Sequence, residues 1–423
     1  MAVSRIKVNE LLLVAVTLSY SLTWVPAQIL GGSGEKLSLI RLIGVPLIIV
    51  SFILEPDSYA KVLQNRIILA FVLSALLGMG LGIILGSLSF STIVSFVPSV
   101  LAILFYARRT DYFMIRKVIR CLVLGSVSIC VLTILAHIGL ISPVEHVEIE
   151  IANLGLIYKR TWAGLASSHI GPWMILLLSY SVIGGLYKSK YLILSATGLF
   201  ISFLTSFYNG QRSTVFALIL ALASCIGLFY YHLKHKTDHI TMKIYLKRTS
   251  LNATSIIIIF LMLFVVVRPD ISTIKYRIDS MFRNESHYGS EERLMMWKYF
   301  LIDLIKNPSI VGKEDTQMAE KLGAGTHIFL GESFYYGGVL LFVCLVVILF
   351  SSLYYLLKKL SDSSSYLESK IMLILSSTLI ACLVYLMVMP GLFSRLPYIL
   401  LGITQGLKKR DYEIQTHKKW ANG

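Results

Sequence analysis

Apolar runs of membrane-spanning length recur along the whole chain, and no other feature constrains its fold as much. They fall near residues 8–26, 37–54, 67–85, 88–106, 118–141, 162–186, 191–207, 213–232, 251–267, 334–357, 371–389 and 392–407. A helix crosses the hydrocarbon core with roughly 20 predominantly apolar residues, so these twelve runs describe about twelve crossings. The last run is short and is interrupted by Arg395 and Pro397; the count is eleven if it does not cross. Lipid cannot hydrogen-bond a backbone, so each run should close its amides internally as a helix. The expectation is an all-α integral membrane protein, with residues 1–423 forming a single polytopic membrane domain.

Composition agrees. Of the 423 residues, 56% are hydrophobic and only 15% charged, against about 25% charged in soluble domains. Mean hydropathy is +0.74. A soluble globule would lack the charge to cover its surface, and the apolar content is too high for disorder. The five cysteines (Cys121, Cys130, Cys225, Cys344 and Cys382) all lie in apolar runs, which implies no disulfide framework and no Cys-rich metal site. No small-residue cleavage site follows the first run, which reads as a retained span that directs insertion.

A net charge of +16 could signal nucleic acid in a soluble protein. Here it sorts by side. With the amino terminus in the cytoplasm, 24 of the 39 Lys and Arg fall in inner segments and six in short outer loops, and the remaining nine share one long outer loop. That is the positive-inside distribution. It places both termini in the cytoplasm and leaves no excess charge for a nucleic-acid partner.

The long loop, residues 268–333, lies between spans nine and ten and carries nine Lys/Arg and ten Asp/Glu. A smaller outer loop covers 142–161. Loops of such length in a compact protein are usually functional. Within the long one, Ser290-Glu291-Glu292 opens a helix that Asn307-Pro308 ends. Leu294, Trp297, Leu301 and Leu304 form a stripe at helical spacing, as in a helix resting at the membrane interface. No internal repeat is evident, and no Walker A, GxGxxG, HExxH, CxxC or EF-hand pattern stands in a supporting context.

The chemistry-bearing residues are outward arginines and one histidine. Arg160 lies just outside the sixth span, and Arg212 sits in the short Asn209-Gly210-Gln211-Arg212-Ser213 hairpin. Arg293 and Trp297 are four apart on the loop helix. His327 precedes Glu332 by five residues where the chain re-enters the membrane, and Arg395 marks the outer end of the last span. An arginine at a span end can simply snorkel to headgroups, and Arg41 reads most simply that way. Several guanidinium forks on one side also suit a membrane-surface polyanion, because each binds phosphate oxygens bidentately and keeps its charge. A diphosphate leaving group needs such neutralisation where no metal supplies it, and no Asp/Glu/His cluster in the sequence has the pattern of a Mg²⁺ site. A histidine can take the proton of an attacking hydroxyl.

In these features the sequence resembles the bacterial O-antigen polymerase and O-antigen ligase family. Four stretches carry the resemblance: Arg160-Thr-Trp-Ala-Gly164 running on to Gly171; Gln211-Arg212-Ser213 before an apolar span; Arg293 to Trp297, followed by Asn307-Pro308 and Gly312; and His327 with Glu332 and Gly337-Gly338. It covers roughly residues 150–400. Family members commonly carry Asn after the histidine, where this chain has Ile328.

The resemblance implies a GT-C-like, metal-independent, inverting glycosyltransferase of the bacterial inner membrane, without cofactor, its active site facing the periplasm. The donor would be an undecaprenyl-diphosphate-linked oligosaccharide. Arg212 and Arg293 would hold the diphosphate and His327 would act on the acceptor. Arg160, Glu332, Arg395 and Trp297 would bind substrate. A polymerase extends another lipid-linked repeat unit, so the same molecule serves as donor and acceptor, and a chain-length regulator is the partner the family suggests. A ligase transfers the glycan to lipid A-core and typically keeps the His-Asn pair, which favours the polymerase here. A lipid-linked glycan flippase is the different-class alternative. It would be expected to show inverted repeats and ionisable residues at mid-membrane, whereas the charges here sit at the outer edge.

Overall fold

The computed structural model describes residues 2–22, 39–108, 111–141, 145–151, 156–162, 167–209, 212–236, 239–267, 290–313, 328–363, 365–387 and 394–421. In chain order these form α1 (Ala2–Ser21), a π-helical turn (Ile40–Gly44), α2 (Val45–Leu54), α3 (Pro56–Leu63), α4 (Arg66–Ile84), α5 (Phe90–Ala107) and α6 (Tyr112–His137). Strands β1 (Glu145–Ile151) and β2 (Leu156–Trp162) follow. Then come α7 (Ser167–Tyr187), α8 (Leu192–Asn209), α9 (Arg212–Lys236), α10 (His239–Val267), α11 (Ser290–Lys306), α12 (Phe329–Asp362), α13 (Tyr366–Leu386) and α14 (Arg395–Ala421).

Among the described residues nine helices are long and apolar enough to cross a membrane, and they coincide with nine of the twelve apolar runs. The first two runs appear as shorter apolar helices, Val8–Ser21 and Ile40–Leu54. The last run opens α14, which continues into a basic tail. The chain is thus a helical, multi-pass protein of the bilayer. One departure from a purely helical reading is the segment between α6 and α7, where β1 and β2 pair antiparallel from Glu145 opposite Trp162 to Ile151 opposite Leu156. The signal was present: Val147, Ile149 and Ile151 alternate with Glu148 and Glu150, a period of two.

The chain divides into two compact units. One comprises residues 1–44, 116–283 and 357–385, the other 45–115, 284–356 and 386–423. In the first, α7 and α8 form a tight hairpin made by small residues. A Cβ at Gly198 would come within 2.1 Å of Ser181 Oγ, and one at Gly185 within 2.4 Å of Ser195 Oγ. Small residues let membrane helices approach where no hydrophobic drive exists between them. The buried Asn252 of α10 donates to the Gly185 carbonyl at 3.0 Å, satisfying a polar group that lipid would leave bare.

In the second unit α5 packs along α14, with Gly402 closing on the Ile103 backbone. The rings of Phe71, Phe96, Phe329 and Tyr398 form a cluster, with centroids 5.8–6.3 Å apart. Near the other end of α5, Arg108 pairs with Glu55 at 2.7 Å and lies over the Tyr59 and Phe105 rings.

Candidate functional site

In the first unit, chain order fixes which residues share an end. β2 leads into the start of α7, α8 returns antiparallel, and Gly210-Gln211 then leads into α9. The start of α7, the end of α8 and the start of α9 therefore lie together, and β2 packs on α8. Arg160, on β2 opposite Val147, and Arg212, the first residue of α9, are brought to this same end. Their side chains fall outside what the structure describes.

In the second unit, α11 is the helix expected in the long loop, from Ser290 to Lys306. It docks on the start of α12: Met296 and Phe300 are buried with Ile328, Phe334 and Tyr335, and Trp297 and Leu304 pack against them. The docking face takes in Trp297 and Leu304 of the stripe expected from sequence but not its Leu294 and Leu301. Leu294 and Leu301 are 72% and 46% exposed, and Ile305 is 77% exposed. Residues 294, 301 and 305 form a second apolar face, suited to the interfacial layer of a membrane. Two polar contacts fix the docked helix. The Trp297 indole donates to the Met387 carbonyl at 3.1 Å, and the Tyr335 hydroxyl donates to Asp303 Oδ2 at 2.7 Å. Trp297 thus spends its only donor on holding α11. Arg293 is one turn before it on the helix, and its side chain lies outside the described residues.

Glu332 lies in the first turn of α12 and is 7% exposed, where the helix dipole favours a carboxylate. Arg395 is the first residue of α14 and is half-buried. Phe329 and Tyr398 each stand three positions along their helix from these residues, on the same faces, and their rings touch edge-on at 6.2 Å. The starts of α12 and α14, with Glu332 and Arg395, therefore come together. Tyr398, also at this corner, was not picked out from sequence. Its hydroxyl is buried without a hydrogen-bond partner among the described residues, and its place three residues after Arg395 was the available signal. His327 lies outside the described residues, immediately before the buried Ile328.

The segment after α11 explains the glycines singled out in sequence. α12 breaks at Gly338, where φ is 72° and ψ 176°. Residues 309–313 cross the break: Val339 N–H donates to Ser309 O and Lys313 N–H to Tyr335 O, both at 2.7 Å. Gly312 N–H donates to Gly78 O on α4 at 2.8 Å, and Ser87 Oγ donates to Gly312 O at 2.7 Å. Irregular backbone inside a membrane protein is tolerated where its amides are satisfied in this way.

Compared with known proteins, the chain matches no family model and no curated protein. Among the described residues no three His, Cys, Asp or Glu side chains gather as a metal site would require.

Proposed function

We propose that this chain is a surface-polysaccharide polymerase of the O-antigen type, with a GT-C-like fold of about twelve crossings in the bacterial inner membrane. Both termini lie in the cytoplasm and the active site faces the periplasm. The acceptor hydroxyl of one undecaprenyl-diphosphate-linked repeat unit attacks the anomeric carbon of another glycan. The new C–O bond forms as the bond to the diphosphate breaks. The hydroxyl proton passes to His327, and undecaprenyl diphosphate leaves with the charge neutralised by Arg212 and Arg293.

The observation that carries this reading is where the arginines stand. Arg212 opens a helix, and Arg293 lies in the first turn of another. A cation at a helix N-terminus is unfavourable by about 0.3–1 kcal/mol unless an anion shares the position, and that terminus also offers free N–H groups to phosphate. Arginine on a helix start thus suits a diphosphate.

Ile328 supports polymerase over ligase. Where the ligase carries Asn, this side chain is 1% exposed among Met296, Phe300 and Phe334, so it contributes packing rather than a polar contact to an acceptor. The test is purified protein with lipid-linked repeat unit alone. Formation of polymer is expected. Transfer only when lipid A-core is added would make it a ligase, and translocation in vesicles without bond formation would make it a flippase.

A further inference from the structure

At the end of the first unit opposite Arg160 and Arg212, beside the α7–α8 turn, lies a cavity of about 410 Å³. Arg116 and Arg120 reach it from the beginning of α6, Lys188 from the α7–α8 turn and Lys370 from the first turns of α13. Tyr180, Tyr191 and Tyr366 wall it. The Lys370 ammonium stands 5.4 Å and 5.6 Å from the ring centres of Tyr180 and Tyr191, and the Lys188 ammonium 4.8 Å from that of Tyr366. The lining holds no carboxylate. On α13 itself Glu368 is turned to Lys359 at 3.3 Å. Among the described residues none of the four cations has an ion-pair partner.

The charge distribution assigns this end to the cytoplasm, and positive-inside topology accounts for cations in these loops. It does not account for four of them converging on one cavity. Like charges brought together repel, and aromatic faces offset only part of that. An anion in the cavity removes the repulsion. Two guanidinium forks with two ammoniums match phosphate oxygens, and tyrosine hydroxyls can add donors. The walls are not wholly polar: Ile119 and Leu194 also line the space, and Leu194 is exposed on the outer surface of α8. A bare ion would leave that apolar surface uncovered, whereas a phosphate on an acyl-bearing body would cover it.

We propose that this cavity is a phosphate-binding site for an anionic lipid headgroup of the cytoplasmic leaflet, a second site at the far end of the unit from Arg160 and Arg212. Basic pockets between spans on this side are a general mode of lipid headgroup recognition. The inference stands apart from the glycosyl-transfer reading.

The experiment uses the full-length chain, delipidated in neutral detergent. It is titrated with short-chain phosphatidic acid, short-chain phosphatidylcholine, inorganic phosphate and diphosphate, with bound ligand counted by native mass spectrometry and Tm followed. Phosphatidic acid should bind and raise Tm, and phosphatidylcholine should do neither. Arg120→Gln and Lys370→Gln should each weaken phosphatidic acid binding about tenfold, as loss of one charge-assisted contact does. Lys358→Gln, exposed and outside the cavity, should not. Displacement of the lipid by inorganic phosphate or diphosphate at equal concentration keeps the phosphate site but makes a soluble anion its occupant. With no anion present, both Gln variants should melt at or above wild type, since each removes a repelling charge. Unchanged phosphatidic acid affinity in both variants, or equal binding of phosphatidylcholine, overturns the proposal. So does a lower anion-free Tm with lipid binding intact, which would make these cations part of the packing.

Discussion

Gly338 lies directly against Ile310: a Cβ at position 338 would come within 2.1 Å of the Ile310 carbonyl oxygen. Its φ of 72° with ψ of 176° is open to glycine and to essentially nothing else. The contact lets the 309–313 segment cross the broken helix and exchange backbone hydrogen bonds with it. Gly338→Ala should therefore cost at least the ~1–3 kcal/mol of a strained backbone, read as a lower Tm in detergent. Gly80, on α4, has open space around it. Gly80→Ala should leave Tm unchanged or raise it, since glycine inside a helix is worth about 0.5–1 kcal/mol less than alanine. Equal Tm in both variants would remove the role assigned to the break.

The docked face of α11 is set by Met296 and Phe300, not by Leu294 and Leu301. Phe300→Ala should cost about 3–5 kcal/mol of local packing and release α11, seen as faster proteolysis within 290–313 and lower turnover. Leu301→Ala should stay within about 0.5 kcal/mol of wild type. The reverse ranking would make Leu301 rather than Phe300 the docking contact.

How much of this was legible in advance follows from the physics of each signal. Spans are long and apolar, so the bilayer writes them plainly, and the helices from α4 to α10 sit where the runs put them. The docked face of α11 was legible only in part: its apolar side is wide enough to hold Met296 and Phe300 as well as Leu294 and Leu301, flanking Trp297 and Leu304, and only the partner decides which edge is covered. The β1–β2 pair was missed because seven alternating residues are a weak signal beside twenty apolar ones. Gly312 and Gly337-Gly338 were visible as motif endings. Their meeting was not, because it rests on backbone approach between segments 25 residues apart. The cavity of Arg116, Arg120, Lys188 and Lys370 was hidden within the positive-inside count, which registers charges by side and not by convergence.

Orientation can be tested on its own. A cysteine in place of Ser286 should react with an impermeant thiol reagent in intact spheroplasts, because the Lys/Arg distribution puts 268–333 outside. Reaction only after lysis would invert the topology and move the arginines to the cytoplasm.

Because guanidiniums are assigned to the leaving diphosphate, turnover should survive EDTA. Loss of activity on chelation, restored by Mg²⁺ or Mn²⁺, would point to an acidic site instead, with Glu291, Glu292 or Asp303 the first residues to substitute.

Arg293 and His327 should fail differently. In the proposed reaction Arg293 serves the departing diphosphate, where both charge and fork are needed, so Arg293→Lys should be impaired as well, since lysine is a point donor. Removing one such stabiliser typically costs about 10²–10³ in rate. In the same proposal His327 takes the proton of the incoming hydroxyl, and loss of a general base is worth roughly 10²–10⁴. His327→Ala should therefore bind lipid-linked donor as wild type does and turn it over slowly. Donor binding and turnover of each variant are measured in detergent, with Tm confirming the fold. Near-wild-type turnover in His327→Ala would remove the catalytic role proposed for that histidine. Wild-type activity in Arg293→Lys would leave Arg293 a solvated charge on α11, and the case for a diphosphate donor would then rest on Arg212 alone.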